Sequence, residues 1–407
     1  MADRLHGFDQ PTVWHEFTPL ALQHGAINLG QGFPDWPMEA MFKAHARSAI
    51  DMDFNQYARP QGHLRLVRAL AARYSKQLHR PIEATTDIAI GVGATEVMYS
   101  ALMGLLSSPR DEVVVLEPAF DIYAAQVQMA GGCCKFVPLR CDAAQFTLDG
   151  DAVEAAFSAH TRVLIINSPH NPTGKVFTEP ELARLASIVA RYPRVVVLCD
   201  DVYEHMSFVP YPRFANLPGM YERSITISSA GKTFSVTGWK IGWAVGPSSL
   251  VQRIHLANNW IQFSVATPLQ EAVAAMLEQA DEPFQSHDSY FVSVAARHKA
   301  GRDLLIAAFT ALGLGVVVAD GGAFLLVNIA NVEIPTKYLE KGSRDYAFCR
   351  YLTIEKRVTA IPVSAFYCDE HKALGHNYVR FAYCKETSTL QSAIERLQTL
   401  IVTTRAH

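Results

Sequence analysis

Seven short strand-like runs, most of them unbroken, apolar and rich in β-branched residues, recur between positions 88 and 245, and they constrain the fold more than any other feature of the chain. They cover residues 88–91, 113–117, 134–139, 163–167, 195–199, 224–228 and 241–245. Runs of this length without polar alternation suit strands covered on both faces. Helix-like segments separate them, among them 95–106 and 179–192. That alternation predicts an α/β fold built on a mostly parallel, seven-stranded sheet. Ligands of such sheets gather beyond the carboxyl ends of the strands, so the residues after each run are read most closely.

The periodicity changes on either side of this block. Residues 1–40 lack strong periodicity and hold Gly30-Gln31-Gly32-Phe33-Pro34-Asp35-Trp36-Pro37, which predicts an irregular, turn-rich arm with aromatic bulk from Trp14, Phe17 and Phe33. Beyond position 290 a long helical stretch, 290–311, leads into strand-like runs at 316–318, 324–327, 358–361 and 379–383, and a last helix over 390–401. The expected organisation is a large domain over 41–290 and a smaller α+β domain made by 1–40 and 291–407. A chain of 407 residues with 49% hydrophobic content can bury cores of that size.

Several function classes are disfavoured by composition. The net charge is −3 with no block of one sign, which is unlike a nucleic-acid surface or a polybasic membrane anchor. No apolar run reaches the length of a membrane span, and residues 1–10 carry charges of both signs without the apolar core of a signal peptide. Seven cysteines, an odd number without C-x-x-C, predict buried free thiols in a reducing cytoplasm. Fifteen histidines form no H-x-x-x-H or E-x-x-H pair, so no metal site is expected.

Five strand ends carry chemistry. Gly91-Val92-Gly93-Ala94-Thr95-Glu96 opens a helix; Glu96 breaks the dinucleotide fingerprint, but small residues at a helix start suit one phosphate group or simple capping. Phe120, just past the run ending at Glu117, is either core or a ring that lies against a planar ligand. Asn171 sits in Asn171-Pro172-Thr173-Gly174, either a plain turn or a rigidly held amide donor. Asp200 ends an apolar run, where a carboxylate needs a cap to make or a cationic partner to meet, and Tyr203 follows three residues on. Lys232 lies among small residues in Ser228-Ser229-Ala230-Gly231-Lys232-Thr233, with Lys240 eight residues later. A desolvated lysine there offers a neutral amine for a carbonyl. A nucleophilic lysine, a carboxylate, oxygen-directed donors, an aromatic ring and phosphate ligands together are the set that pyridoxal phosphate requires.

Taken together, N-P-T-G, D-x-x-Y and S-x-G-K-T-F-x-x-T-G-W-K resemble the fold-type-I pyridoxal-phosphate aminotransferases of class I/II. The likeness is greatest to the branch with methionine, glutamine (type K) and kynurenine aminotransferases, and it runs from about Trp14 to Leu397. The resemblance implies that Lys232 forms the covalent link to the cofactor and later moves the proton, while Asp200 keeps the ring nitrogen protonated. Asn171 and Tyr203 would bond the phenolic oxygen, and Phe120 would stack on the ring. Ala94, Thr95, Ser229 and Lys240 would hold the phosphate. Tyr57 would reach the phosphate of a neighbouring subunit, which implies a homodimer with shared active sites. Arg380 matches the arginine that grips the substrate carboxylate with two parallel bonds. Gly32 would line that carboxylate, and Trp14 with Phe33 would wall the side-chain pocket.

The substrates implied are an L-amino acid and a 2-oxo acid. Thr95 stands where animal-type kynurenine aminotransferases place a tyrosine, and Ser264 where they place a histidine. Ala94-Thr95-Glu96 resembles the bacterial methionine aminotransferases instead. No motif places a second arginine for a distal carboxylate, so a neutral sulfur-containing or aromatic donor is expected. The readings weighed against this are a β-lyase acting on cysteine conjugates through the same early steps, and a non-catalytic cofactor-binding sensor. Residues 1–40 have neither the helix-turn-helix pattern nor the basic patch that a sensor fused to a DNA-binding segment would show.

Overall fold

The fold is described from a computed structural model covering residues 2–142 and 144–403. The seven expected runs form strands β1 (Ile88–Val92), β2 (Glu112–Glu117), β3 (Cys133–Pro138), β4 (Thr161–Asn167), β5 (Val196–Asp200), β6 (Ser224–Ser229) and β7 (Ile241–Val245). They make one sheet in the order β1-β7-β6-β5-β4-β2-β3, parallel except for β7. Residues Val163, Leu164, Ile165 and Ile166 of β4 are all buried, as expected for a strand with helices on both faces. Helix Glu179–Ala190, between β4 and β5, shows why the covering helices form where they do. Thr178 and Glu181 make a reciprocal capping box, a proline sits in the first turn, and Leu182, Leu185, Ile188 and Val189 share the buried face.

The reversed direction of β7 matters for function. Its first residue, Ile241, pairs with Val92 at the carboxyl end of β1, and Gly242 pairs with Ser229 at the end of β6. Lys240, immediately before β7, is thereby delivered to the same sheet edge as Asn167, Asp200 and Ser229. Gly242 is required for that edge to close. A Cβ there would lie 2.3 Å from the amide nitrogen of Ala94, so only glycine lets helix Gly93–Leu105 start against the sheet.

A second, antiparallel sheet has the order β8-β9-β11-β10, from β8 (Gly315–Val317), β9 (Phe324–Asn328), β10 (Ile361–Pro362) and β11 (Tyr378–Ala382). Arg380 lies in its middle strand, opposite Leu326 on one side and Ile361 on the other. Helix Tyr290–Ala311 precedes this sheet, as expected.

Three expectations are corrected. Residues 1–40 are not wholly irregular: Val13–Gln23 is a helix whose buried face consists of Val13, Phe17 and Ala21, a narrow stripe interrupted in the sequence by Pro19. The run 358–361 divides, with Val358–Thr359 pairing in parallel with Ile27–Asn28 and Ile361–Pro362 joining the second sheet. The cysteines are all free, but not all are buried: Cys133 and Cys141 are exposed because β3 is an edge strand and Cys141 sits in a surface hairpin.

The segment after β5 is fixed by buried charge. Arg213 donates to Glu204 at 2.5 Å and to Asp201 at 3.2 Å, and Tyr74 and Ser228 also donate to Glu204. Burial alone would raise the Glu204 pKa, but Arg213, His205 and these hydroxyls hold it at about 2. Removing one member leaves the other charge buried and unpaired. Arg213→Met is therefore expected to cost about 3–5 kcal/mol in urea denaturation, whereas Arg80→Met, whose pair with Glu222 is exposed, should cost under about 1 kcal/mol. Equal losses for the two would refute this role.

Candidate active site

One cavity of about 250 Å³ lies where the carboxyl edge of the large sheet faces the second sheet and the N-terminal arm. Among the residues singled out from sequence, Lys232, Asp200, Tyr203, Asn171, Phe120, Ala94, Thr95, Ser229, Lys240, Arg380, Gly32 and Trp14 all line it. They come from widely separated segments, and the fold brings them together.

Lys232 is on the one-turn helix Ala230–Thr233 directly after β6. Its amine opens to the cavity, donates to the Gly32 carbonyl at 3.0 Å and lies 5.5 Å from the centre of the Tyr203 ring. Burial lowers its pKa, with the Arg380 charge adding to the shift, so a larger share of the amine is neutral than in a solvated lysine. Asp200 ends β5. Its carboxylate accepts from Tyr123 Oη at 2.6 Å and from the Val202 N–H at 3.4 Å. Burial raises its pKa against these bonds, so an adjacent cation would favour the ionised form.

Asn171 is held from behind. Asn167 Oδ1 accepts the Asn171 N–H at 2.7 Å, and Asn167 Nδ2 donates to the Asp200 carbonyl at 2.8 Å, tying the ends of β4 and β5 together. Asn171 Oδ1 accepts from Arg380 Nη1 at 2.8 Å. Because arginine only donates, that bond fixes which way the amide points and leaves Nδ2 as a free donor. Burial raises the pKa of the Tyr203 hydroxyl, which keeps it protonated and able to donate.

Arg380 is 1% exposed. Its Nη2 donates to the Gly30 carbonyl at 2.6 Å, its Nε has no partner, and no carboxylate lies within ion-pair distance among the described residues. The guanidinium rests 3.8 Å from the Phe324 ring centre and 4.8 Å from that of Phe366. Burial lowers its pKa to about 10, still charged at neutral pH. Gly32 is sterically required beside it, since a Cβ there would meet Phe324 Cζ at 2.1 Å.

A third corner collects donors suited to a dianion. Helix Gly93–Leu105 begins without a side-chain cap, and Ser229 makes no cap bond to the helix that follows it. Lys240, in a left-handed backbone conformation, has no ion-pair partner among the described residues. Uncapped N–H groups, a hydroxyl and an ammonium converge here.

Two expected residues lie elsewhere. Phe33 is 43% exposed and outside the cavity, because its carbonyl accepts from Lys385 at 2.6 Å and its ring lies under that ammonium. Trp14 walls the cavity without it, its indole N–H donating to Asp121 at 2.9 Å. Tyr57 is 84% exposed and packs edge-on against Phe263 at 5.4 Å. Sequence reasoning missed Tyr123, Asn167 and Phe324. Tyr123 was within its reach, as it lies three residues past Phe120 at the same strand end.

Comparison with known proteins gives the family. The family described as aminotransferase class I and II matches residues 24–397. A kynurenine–oxoglutarate transaminase of Dictyostelium discoideum is 41% identical, over 95% of this chain and 93% of its own. The structure of YbdL from Escherichia coli, which identifies a methionine aminotransferase function, superposes with a TM-score of 0.88 at 32% identity, covering 98% of this chain and 99% of that one. N-succinyldiaminopimelate aminotransferase from Mycobacterium tuberculosis also gives 0.88, at 38% identity and the same coverage. The chain is a transaminase and belongs to the class I and II aminotransferase family.

Proposed function

We propose that this transaminase uses pyridoxal phosphate to move the amino group of a neutral sulfur-containing or aromatic L-amino acid to a 2-oxo acid in a ping-pong cycle. Methionine, glutamine and phenylalanine-like donors fit that description. The observation that carries the reading is a buried guanidinium with no carboxylate partner, Arg380, sharing one cavity with the desolvated amine of Lys232. The residues present fit the cofactor. The uncapped start of helix Gly93–Leu105, with Ala94 and Thr95, joins Ser229 and Lys240 to suit its phosphate. Asp200 suits the ring nitrogen, Asn171 Nδ2 and the Tyr203 hydroxyl the phenolic oxygen, and Phe120 the ring face.

When bound, pyridoxal phosphate supplies an electron sink that makes the α-proton of an amino acid removable. This chain does the rest. Arg380 binds the substrate carboxylate and confines the reacting carbon to the cavity that Lys232 opens into. Lys232, made partly neutral by burial, takes the α-proton and returns it. Asp200 holds positive charge at the ring nitrogen, and Trp14 and Phe324 exclude water. Arg380 is the sole arginine lining the cavity among the described residues, which favours an uncharged donor side chain. Kynurenine is aromatic and falls within the same class, and the name of the Dictyostelium relative supports it as a second donor.

We also infer a homodimer. Tyr57 at 84% and Trp260 at 85% exposure, with Leu256, Ile261 and Phe263, leave apolar side chains in water. The loop carrying Tyr57 is anchored on both sides, by Thr267 Oγ1 on the Gln56 carbonyl at 2.6 Å and Ser264 Oγ on the Ala58 carbonyl at 3.0 Å. A fixed, exposed tyrosine suits reach into a neighbouring site.

Three measurements check this reading. Purified protein should show a visible cofactor band that methionine bleaches, and borohydride should fix the cofactor to Lys232 in peptide mass spectra. Lys232→Ala should lower turnover at least about 10²–10⁴-fold; a label on Lys240 instead would overturn the assignment. Arg380→Met should keep the band but lower kcat/KM for methionine roughly 30- to 5,000-fold, the cost of leaving a buried charged partner unpaired. Unchanged kinetics would remove Arg380 from substrate binding. Light scattering after gel filtration should give twice the chain mass, and Trp260→Glu should shift it towards one. A monomeric, fully active wild type would refute the shared site.

A further inference from the structure

Outside the cavity, one group of chemically active side chains takes no part in the proposed transaminase chemistry. Glu117 is the last residue of β2 and only 1% exposed. Its Oε2 meets His371 Nδ1 at 2.6 Å and Cys368 Sγ at 3.6 Å, while Sγ and Nδ1 are 3.4 Å apart. Among the described residues this is the one set of three histidine, cysteine or acidic side chains whose ligand atoms all lie within 4.8 Å of one another. Cys368 and His371 belong to one turn, closed by the His371 N–H on the Cys368 carbonyl at 3.0 Å. Glu117 Oε1 accepts the Cys368 N–H, which anchors the carboxylate and aims Oε2 at the other two groups.

These separations can be set against a metal's demands. Tetrahedral zinc with Zn–S of about 2.3 Å and Zn–N and Zn–O of about 2.0–2.2 Å places S and N about 3.6 Å apart, S and O about 3.6 Å, and N and O about 3.4 Å. Two of the three edges are already within about 0.2 Å of this. The third, the hydrogen bond between His371 and Glu117, must open by less than 1 Å. A sulfur, a nitrogen and an oxygen form a donor set suited to a borderline-soft ion, unlike the all-oxygen sets of magnesium or calcium.

From this we infer that Glu117, Cys368 and His371 bind one zinc ion per chain, with a water as the fourth ligand on the side where Cys368 and His371 are part-exposed. Binding replaces protons and changes no oxidation state. The Cys368 thiol loses its proton to solvent, and the proton between His371 Nδ1 and Glu117 Oε2 leaves that bond, so that the ring nitrogen and the carboxylate face the metal as lone-pair donors. The ion joins the end of β2, three residues before Phe120, to the turn that follows Phe366, against which Arg380 packs. The Ala119 N–H already donates to the Phe366 carbonyl at 2.7 Å across the same junction. The site is structural, tightening a seam between two walls of the cavity without touching substrate.

The search for paired histidines passed over it because its local pair is Cys368-x-x-His371, with one histidine, and its third ligand is 251 residues from Cys368 in the chain. The test uses the intact holoenzyme, freed of metal by dialysis against a chelator. Calorimetric titration with zinc chloride should show one equivalent per chain. Cobalt chloride should give the d–d bands of a tetrahedral site at long visible wavelengths, clear of the cofactor. Cys368→Ser and, as a second variant, His371→Gln should each weaken binding at least about 10–100-fold and lose these bands. Cys133→Ser/Cys141→Ser, which removes the exposed thiols, should keep both. Zinc should raise the melting temperature of the wild type and not that of Cys368→Ser. No uptake at equimolar zinc, or equal uptake by Cys368→Ser, would show that the three residues form a hydrogen-bonded latch only.

Discussion

The side chain of Asn167 sets the geometry on which the active-site edge depends. One amide nitrogen grips the Asp200 carbonyl at the end of the next strand, and its oxygen accepts the N–H of Asn171. The carboxylate of Asp200 and the amide of Asn171 therefore cannot move independently. Through Asn171 Oδ1 the same chain of bonds reaches Arg380 in the second sheet. Two sheets are registered by three consecutive hydrogen bonds, and the proposed cofactor contacts on one sheet are positioned relative to the proposed substrate contact on the other.

That coupling is tolerable only because Arg380 is held at both terminal nitrogens without being neutralised. A buried guanidinium normally needs a carboxylate, and here it has two oxygen acceptors and three aromatic rings in its place. The rings supply weak electrostatic attraction and leave the formal charge uncompensated. A ligand carboxylate would regain that missing interaction on binding, so the protein keeps an electrostatic debt that an amino acid can settle. Tyr123 plays a comparable part for Asp200, giving one strong hydrogen bond to a carboxylate whose burial favours protonation. A cation beside Asp200 would complete what Tyr123 begins.

The elements of the large sheet were legible because strands buried on both faces write themselves as unbroken apolar runs, and strand ends in such sheets face one edge. Lys232, Asp200 and Asn171 could be read from that rule together with the family motifs. Three kinds of information were not in the spacing. The direction of β7, which brings Lys240 to the edge, depends on pairing with β1 and β6 and not on any local pattern. The helix Val13–Gln23 buries only Val13, Phe17 and Ala21 and contains Pro19, so its period was too weak to read. Phe33 was read as a pocket wall from the family resemblance, yet its carbonyl and ring are both engaged by Lys385, a contact across 352 positions. Local sequence shows which side chain can serve, while tertiary partners decide which way it faces.

Substrate choice belongs to this second category. Relatives whose names specify kynurenine, methionine and N-succinyldiaminopimelate share this scaffold at 32–41% identity. In the proposed assignment Arg380 and Lys232 serve the carboxylate and the proton, which all these donors share, and discrimination falls to the remaining walls. The cavity walls available for that role are Trp14, set by its bond to Asp121, and Phe324, set by contact with Gly32 and Arg380. Tyr57 and Phe263 turn away from their own cavity as a rigid aromatic pair, with Phe263 at a positive φ of 64°. A non-glycine residue held in that conformation reflects strong constraint by its surroundings. On the proposed dimer this pair meets the neighbouring cavity, and specificity then depends on surfaces from two chains, whose relative placement no single sequence spells out.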